Sequence, residues 1–182
     1  MANLKSSTPA RLDFSRLTLQ DALDVAVLIE AEAEERYQDF VRQLGHRYGG
    51  DASDFFTQMV ANERKHGEQI LARRKKRFGD APSKVNSTLI WDVEAPATGL
   101  VRAYMSVHQA VSLAMIAENK ARDFFENALK NVKDPEVKKL FEELRDEEIA
   151  HYEALVKFQN TLPPDTGPDR DDEDLDDPPA LG

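Results

Sequence analysis

The 182-residue sequence contains no cysteine and no long hydrophobic run. The lack of cysteine excludes disulfide bonds and every metal site that needs thiolate ligands. No stretch of about 18 consecutive apolar residues is present, so we expect no membrane-spanning helix. Residues 1–12 also lack the apolar core that a signal peptide needs, which predicts a cytoplasmic protein.

The sequence also has no surplus of basic residues, and its net charge is −10. Residues 163–182 hold eight acidic residues and one arginine, a net charge of −7, which leaves −3 for the rest of the chain. The body of the protein is therefore nearly neutral, and we expect no nucleic-acid partner. The proline- and aspartate-rich segment 162–182 has few apolar residues to bury. We predict that it forms a disordered acidic tail after a folded domain at 1–161.

Apolar residues recur at helical spacing in four long segments. The predicted helices span about 13–45, 52–78, 98–130 and 134–161. Thr18 and Asp21 resemble a capping box at the start of the first helix. Asp134 followed by Pro135 is a strong start signal for the last helix.

The connection between the second and third predicted helices, residues 80–97, is unusually long. In a helical bundle such a connection is usually a crossover that returns to the starting end. We expect the only tryptophan of the chain, Trp91, to anchor this crossover to the bundle. The sequence therefore predicts an all-α four-helix bundle with a long crossover between helices two and three.

Polar residues occur on helix faces that should be buried. The six candidate metal ligands are Glu30, Glu63, His66, Glu118, Glu148 and His151. Helices two and four each carry a Glu-x-x-His motif, whose two side chains lie on one helix face and can meet at one point. Helices one and three each carry a single glutamate next to apolar residues. Because a buried carboxylate is costly unless it is paired or bound to a metal, the pattern predicts a site for two divalent ions.

The other polar residues have simpler interpretations. Those expected at the surface or in loops are Glu32, Glu34, Glu35, Glu142, Glu143, His46 and His108. Glu147 lies one turn from His151 and is the main alternative to Glu148 as a ligand. Tyr37, seven residues after Glu30, either packs in the core or acts at the site, through a hydrogen bond to a ligand carboxylate or in redox chemistry.

This pattern resembles the ferritin-like superfamily, especially rubrerythrin-like domains and bacterioferritins. The resemblance rests on Glu30 with Tyr37, Glu63 with His66, Glu118 with Phe125 and Glu148 with His151, within residues 17–161. It implies a ferritin-like bundle around a carboxylate-bridged di-iron centre, with all six family ligand positions filled. Residues 66–80 are also similar to the erythrin domains of membrane-bound ferritins.

The chain departs from these relatives at several positions. Rubrerythrins proper carry a second glutamate on helix three, one turn from the first, whereas Met115 and Ala121 stand at those distances from Glu118. The rubredoxin part, which needs cysteines, is missing as well. In bacterioferritins an acid before each Glu-x-x-His orients the opposite histidine, and those positions hold Asn62 and Glu147 here.

The resemblance implies a ferroxidase-like enzyme that binds two iron ions and oxidises iron(II) with dioxygen or hydrogen peroxide, with Tyr37 as the candidate catalytic residue. Manganese and zinc also suit carboxylate and imidazole ligands. Two alternatives are a peroxide reductase that uses an external electron donor, and a non-catalytic metal-binding or regulatory bundle. Proteins of this family commonly pair through an apolar face, so we expect a homodimer or a larger homo-oligomer.

Overall fold

The structure is a computed structural model that describes residues 12–48, 50–86, 93–94 and 105–165. A short 3-10 turn, Phe14–Arg16, precedes four helices: α1 (Leu19–Tyr48), α2 (Gly50–Phe78), α3 (Val107–Leu129) and α4 (Pro135–Gln159). No strand occurs in these ranges, and the prediction of an all-α four-helix bundle is confirmed. Trp91, the side chain of His46 and residues 166–182 lie outside the described part of the chain. No helix in that part is long and apolar enough to cross a membrane.

Local capping signals account for the starts of α1 and α4. Before α1, Thr18 Oγ1 accepts a hydrogen bond from the Asp21 backbone N–H at 3.2 Å, and Asp21 Oδ2 accepts one from the Thr18 N–H at 3.1 Å. Asp134 Oδ1 accepts hydrogen bonds from the backbone N–H groups of Glu136 and Val137 at the start of α4. These hydrogen bonds confirm both predicted caps. They satisfy backbone donors that a helix leaves free in its first turn.

The predicted start of the third helix, near residue 98, is wrong. Met105 and Ser106 are not helical, and α3 begins at Val107. Ser106 and Gln109 form a capping box in which each side chain accepts a hydrogen bond from the backbone of the other. Residues 98–104 lie outside the described part of the chain.

Two glycines with positive φ interrupt or end helices. Gly45 (φ 59°, ψ 176°) breaks α1, at the residue where we predicted that helix to stop, and a short helical stretch continues to Tyr48. Gly79 (φ 59°) follows α2, and its N–H donates to the carbonyl of Lys75 at 2.8 Å. Glycine has no Cβ, so it adopts this left-handed conformation without the strain that other residues meet.

The buried apolar residues form two separate cores. The first core contains Ala22, Leu23, Val25, Ala26, Ile29, Ile70, Val93, Phe125, Ala128, Val137, Leu140, Phe141 and Leu144. The second core contains Ala33, Tyr37, Phe40, Leu44, Ala52, Phe55, Phe56, Met59, Ala110, Val111, Ala114 and Leu155. Along the chain, α1 and α4 pass from the first core to the second, whereas α2 and α3 pass from the second to the first. The helices of each hairpin are therefore antiparallel, and α2 and α3 run in the same direction.

The parallel direction of α2 and α3 makes a crossover necessary. α2 has 29 residues and is about 43 Å long at 1.5 Å per residue, so the connection must return over a similar distance. Val93, in this connection, packs in the first core, and Glu94 follows it. The predicted crossover between helices two and three is confirmed, and it passes the middle of the bundle.

A buried arginine holds the beginning of the crossover. Arg74 Nε donates to Asp24 Oδ1 at 2.8 Å, which joins α2 to α1. Its Nη1 donates to the carbonyl of Gly79 at 2.7 Å, and its Nη2 donates to the carbonyl of Ala81. Both charged side chains are more than nine-tenths buried, so the ion pair is shielded from water. Arg74, one of the five consecutive basic residues 73–77, therefore has a structural role.

Candidate metal centre

Four glutamates lie midway along the bundle, one on each helix. Glu30, Glu63, Glu118 and Glu148 are each at most 6% exposed. On every helix the glutamate stands where the residues of one core end and those of the other begin. Each occupies a position that the helical spacing would otherwise assign to an apolar residue, so the bundle gives up hydrophobic contacts to bring these carboxylates together.

Each helical hairpin supplies one half of the site. In the α1–α2 hairpin, His66 Nδ1 lies 3.9 Å from Glu30 Oε2 and 3.8 Å from Glu63 Oε2. Both carboxylates also lie within 4.8 Å of each other and of the imidazole nitrogen, as a shared metal ion would require. Ligand atoms about 2.1 Å from an ion stand about 3–4 Å apart, depending on the angle between them.

The α3–α4 hairpin repeats this arrangement with shorter distances. His151 Nδ1 lies 3.4 Å from Glu118 Oε2 and 3.5 Å from Glu148 Oε2. The rings of His66 and His151 are nearly parallel, with centroids 4.5 Å apart and an interplanar angle of 4°. The two imidazoles therefore lie side by side, so each could serve as the nitrogen ligand of one of two neighbouring ions.

A fifth carboxylate enters the site from the crossover. Glu94 is 1% exposed, and its carboxylate lies within 4.8 Å of Glu30 and Glu148 in one group and of Glu63 and Glu118 in another. The sequence analysis missed it, because a single acid in a connection has no periodic pattern. Its position near the middle of residues 79–106, directly after an apolar residue, is the signal that could have suggested it.

Burial and neighbouring acids raise the pKa values of three glutamates at the site. Burial raises the pKa of Glu30 well above its usual value, and Glu63 and Glu148 raise it further. Burial has the same effect on Glu94, with Glu148 as its strongest charged neighbour. Burial is also the main reason that the pKa of Glu118 rises to about 8. A positive ion at the site would remove this penalty by favouring the deprotonated forms.

The pKa of His151, which contacts Glu118 from α4, is raised as well. Burial by itself lowers the pKa of His151, but contacts with Glu118 and Glu148 outweigh it and raise the pKa to about 11. The carboxylates of this half of the site thus favour the protonated form of the imidazole. Because a ligating histidine must be neutral, metal binding would release that proton.

The chemistry of the donor set fits metal ions. Among the described residues, buried side-chain atoms without a hydrogen-bond partner include Glu30 Oε2, Glu63 Oε2, Glu94 Oε2, Glu118 Oε2, Glu148 Oε2, His66 Nδ1 and Tyr37 Oη. Most buried polar atoms in proteins are satisfied, so six metal-ligating atoms left without partners at one place need a common explanation. Hard oxygen donors with imidazole nitrogens suit iron, manganese or zinc.

Tyr37 lies at the border between the site and the second core. It is completely buried, and its ring stacks on Phe56 at 5.8 Å and meets Phe40 edge-on at 6.2 Å. Burial raises the pKa of its hydroxyl well above the usual value, and the charge of Glu118 adds to this effect. The residue packs as a core aromatic and also directs a polar group without a partner toward the carboxylates.

Two pockets open on either side of the histidine pair. One, of about 210 Å³, is mainly apolar and is lined in part by Phe55, Met59 and Leu155. The other, of about 270 Å³, is more polar and is lined in part by Arg73 and Glu143. Both include His66 and His151, so the histidine side of the site is the side open to small molecules.

The structure brings all six predicted ligands and Tyr37 together and separates the alternatives from them. Glu147 is exposed and lines the polar pocket, whereas Glu148 points to the buried acids. Asn62 is exposed and lines the apolar pocket. His108 is half-buried in the first turn of α3, where its Nε2 lies 2.7 Å from the carbonyl of Pro163.

The expectation that Glu32 is a surface charge is wrong. Its side chain is only 10% exposed and lies 3.6 Å from Arg36, which is also buried. Of the other acids expected at the surface, Glu35 is exposed, whereas Glu34, Glu142 and Glu143 are partly buried. Helical spacing places Glu32 two residues from Glu30, away from its face, but does not show what covers it.

Comparisons with known proteins agree with this arrangement. A family model for rubrerythrin matches residues 21–159. The fold is similar to the crystal structure of an uncharacterized conserved protein from Magnetospirillum magnetotacticum MS-1, with 26% sequence identity and a TM-score of 0.62. That similarity covers 81% of this chain and 97% of the other chain. No curated protein gave a match.

Proposed function

This chain belongs to the rubrerythrin family, and we propose that it is a di-iron carboxylate enzyme that oxidises iron(II) with dioxygen or hydrogen peroxide. The observation that carries the proposal is the group of buried carboxylate and imidazole atoms that have no other partner among the described residues. Buried acids of this kind destabilise a bundle unless metal ions neutralise them. Their retention therefore indicates a function that depends on bound metal.

Each hairpin would hold one iron ion. Glu30, Glu63 and His66 would form one half of the site. Glu118, Glu148 and His151, which the second hairpin brings together, would form the other half. Bound iron would supply one-electron redox chemistry, and the protein would supply negative charge that favours the higher oxidation state. Four carboxylates balance the charge of two iron(II) ions.

The two pockets suit different reactants. Iron(II) is a hydrated cation, and the polar pocket offers it the exposed carboxylate of Glu147, beside the ion pair between Arg73 and Glu143. Dioxygen is apolar and suits the other pocket, whose walls include Phe55 and Leu155. In the overall reaction two iron(II) ions give one electron each to dioxygen, which takes up two protons and leaves as hydrogen peroxide. Hydrogen peroxide as the oxidant would take two electrons and two protons and leave as two water molecules.

Tyr37 is proposed to act from the buried interior of the site. Its hydroxyl is buried near Glu118 and can donate a hydrogen bond to a ligand carboxylate. Such a bond would hold the carboxylate in position while the charge of the ions changes. The Tyr37→Phe variant keeps the ring packing and removes only the hydroxyl, so it should fold normally and oxidise iron(II) more slowly.

The decisive experiment combines metal binding with turnover. Anaerobic iron(II) titration should saturate near two ions per chain, as expected for a two-metal site. In air, added iron(II) should then be oxidised faster than in buffer alone, well beyond the first two equivalents. The His151→Ala variant should slow this sharply, because it removes the only nitrogen ligand of one half of the site. Glu153→Gln, an exposed position on the same helix, is the matched control and should change neither result.

The main alternative is a peroxide reductase of the same family. It would consume hydrogen peroxide steadily when an external electron donor reduces it, and it would not oxidise iron(II) beyond the first two equivalents. That combination of results would replace the ferroxidase proposal. A filled site with neither activity would instead support the non-catalytic metal-binding bundle.

A further inference from the structure

The crossover connection contributes to the metal site itself. We propose that Glu94 is a metal-binding residue, a fifth carboxylate that reaches both halves of the site from the buried interior. This inference rests on the proposed two-metal centre and adds a ligand that lies on none of the four helices. It assigns a function to a segment that would otherwise serve only to connect α2 with α3.

The position of Glu94 relative to the hairpins supports a bridging role. Its carboxylate is grouped with Glu30 and Glu148 and, separately, with Glu63 and Glu118. Each group combines one acid from the first hairpin with one from the second. The groups that contain a histidine, by contrast, each stay within one hairpin. Glu94 thus lies close to acids of both halves.

Glu94 is much more deeply buried than the two histidines of the site. His66 and His151 are 26% and 30% exposed and line both pockets. Glu94 is 1% exposed and lines neither of these pockets. Metal ions at the site would therefore be held by imidazoles that border the pockets and by a Glu94 carboxylate from the buried interior.

Glu94 is buried in an environment of other carboxylates. Its Oε2 has no hydrogen-bond partner in the described ranges, and its nearest charged neighbours are other acids. The preceding residue, Val93, packs in the first core and sets the direction in which Glu94 enters. A carboxylate placed this firmly among other carboxylates needs a cation to make its burial favourable.

The charge of the site also fits a fifth acid. Four glutamates neutralise two divalent ions, whereas five leave one negative charge over. That extra charge becomes compensated when the charge of the ions rises, so Glu94 would favour binding of the more highly charged ions. Glu94 would therefore increase affinity for metal and increase it further for the oxidised pair.

The test uses cobalt(II), which is not oxidised readily and whose visible absorption reports its coordination. The wild-type chain, Glu94→Gln and the Glu153→Gln control are stripped of metal and titrated with cobalt(II) by calorimetry and absorption. Glu94→Gln keeps the shape of the side chain and removes its charge. We expect it to weaken binding of at least one ion by about 10- to 100-fold and to change the cobalt absorption spectrum. The control should match the wild type in both.

The melting temperature of the metal-free proteins separates a ligand from a structural residue. A ligand at this buried position should leave metal-free Glu94→Gln at least as stable as the wild type, because the variant removes an unpaired acid. Unchanged cobalt affinity and spectrum in Glu94→Gln would overturn the inference while leaving the two-metal centre intact. A lower melting temperature of the metal-free variant, with metal loss in proportion to unfolding, would also overturn it. Failure of the wild type to bind two ions would overturn the proposed function itself.

Discussion

Replacing Glu118 by glutamine should stabilise the metal-free protein, and the effect should grow with pH. Burial raises the pKa of Glu118 from its usual 4.5 to about 8 in the folded chain. Because the unfolded chain then releases its proton at lower pH than the folded chain, folding loses stability as the pH rises from about 4.5 to about 8. Glutamine has the same shape and carries no titrating proton, so the variant avoids this loss.

The size of the effect follows from the pKa difference. At 1.36 kcal/mol per pKa unit, the wild type should lose about 3 kcal/mol relative to the variant between pH 4.5 and pH 7. His151 adds to the trend in the wild type, because its pKa is raised from 6.5 to about 11. Its contribution to stability is complete below about pH 6.5 and is lost as the pH rises toward 11.

The assay is urea unfolding of the metal-free proteins at several pH values between 5 and 8. The unfolding free energy of the wild type should fall relative to that of Glu118→Gln as the pH rises, and Glu153→Gln should follow the wild type. Parallel pH dependence of the wild type and Glu118→Gln would refute the reasoning. Added zinc(II) should stabilise the wild type more at pH 8 than at pH 6, because its ligands bind in their deprotonated forms, and should stabilise Glu118→Gln much less.

Two further substitutions test the surroundings of the site. Arg74→Met should cost about 3–5 kcal/mol of unfolding free energy in urea, because it leaves the buried carboxylate of Asp24 without its ion pair. The exposed Arg77→Met should cost less than about 1 kcal/mol, and equal losses would contradict the argument. Gly67→Ala should leave the fold intact but weaken metal binding in calorimetric titration, because its new Cβ would stand 3.3 Å from Cβ of Glu30 and displace that candidate ligand. Unchanged affinity would show that Glu30 tolerates the shift.

Local signals in the sequence were sufficient for most of the fold. The helix caps at Thr18 and Asp134 depend on hydrogen bonds to residues two or three positions away, so the residue types alone predict them. The third helix was the exception, because its predicted start near residue 98 lies before its observed start at Val107. The capping box of Ser106 and Gln109 was also present in the sequence and gives the observed start.

The main part of the site was predictable for the same reason. A Glu-x-x-His pair meets on one helix face whatever the rest of the protein does, and Glu30 and Glu118 stand out because they interrupt apolar stripes. All of these side chains come together in the structure. Their roles as ligands, like the role of Tyr37, stay predictions that metal titration can test.

Residues that meet only through tertiary structure could not be read from the sequence. Glu94 reaches the site because α2 and α3 are parallel, which forces the crossover to return past the middle of the bundle. The burial of Glu32 beside Arg36 was missed because periodicity identifies a helix face but not what packs on it. Helical spacing thus determined which side chains share a face, since it acts over a few residues. The packing of distant segments alone decided which faces enclose the same space.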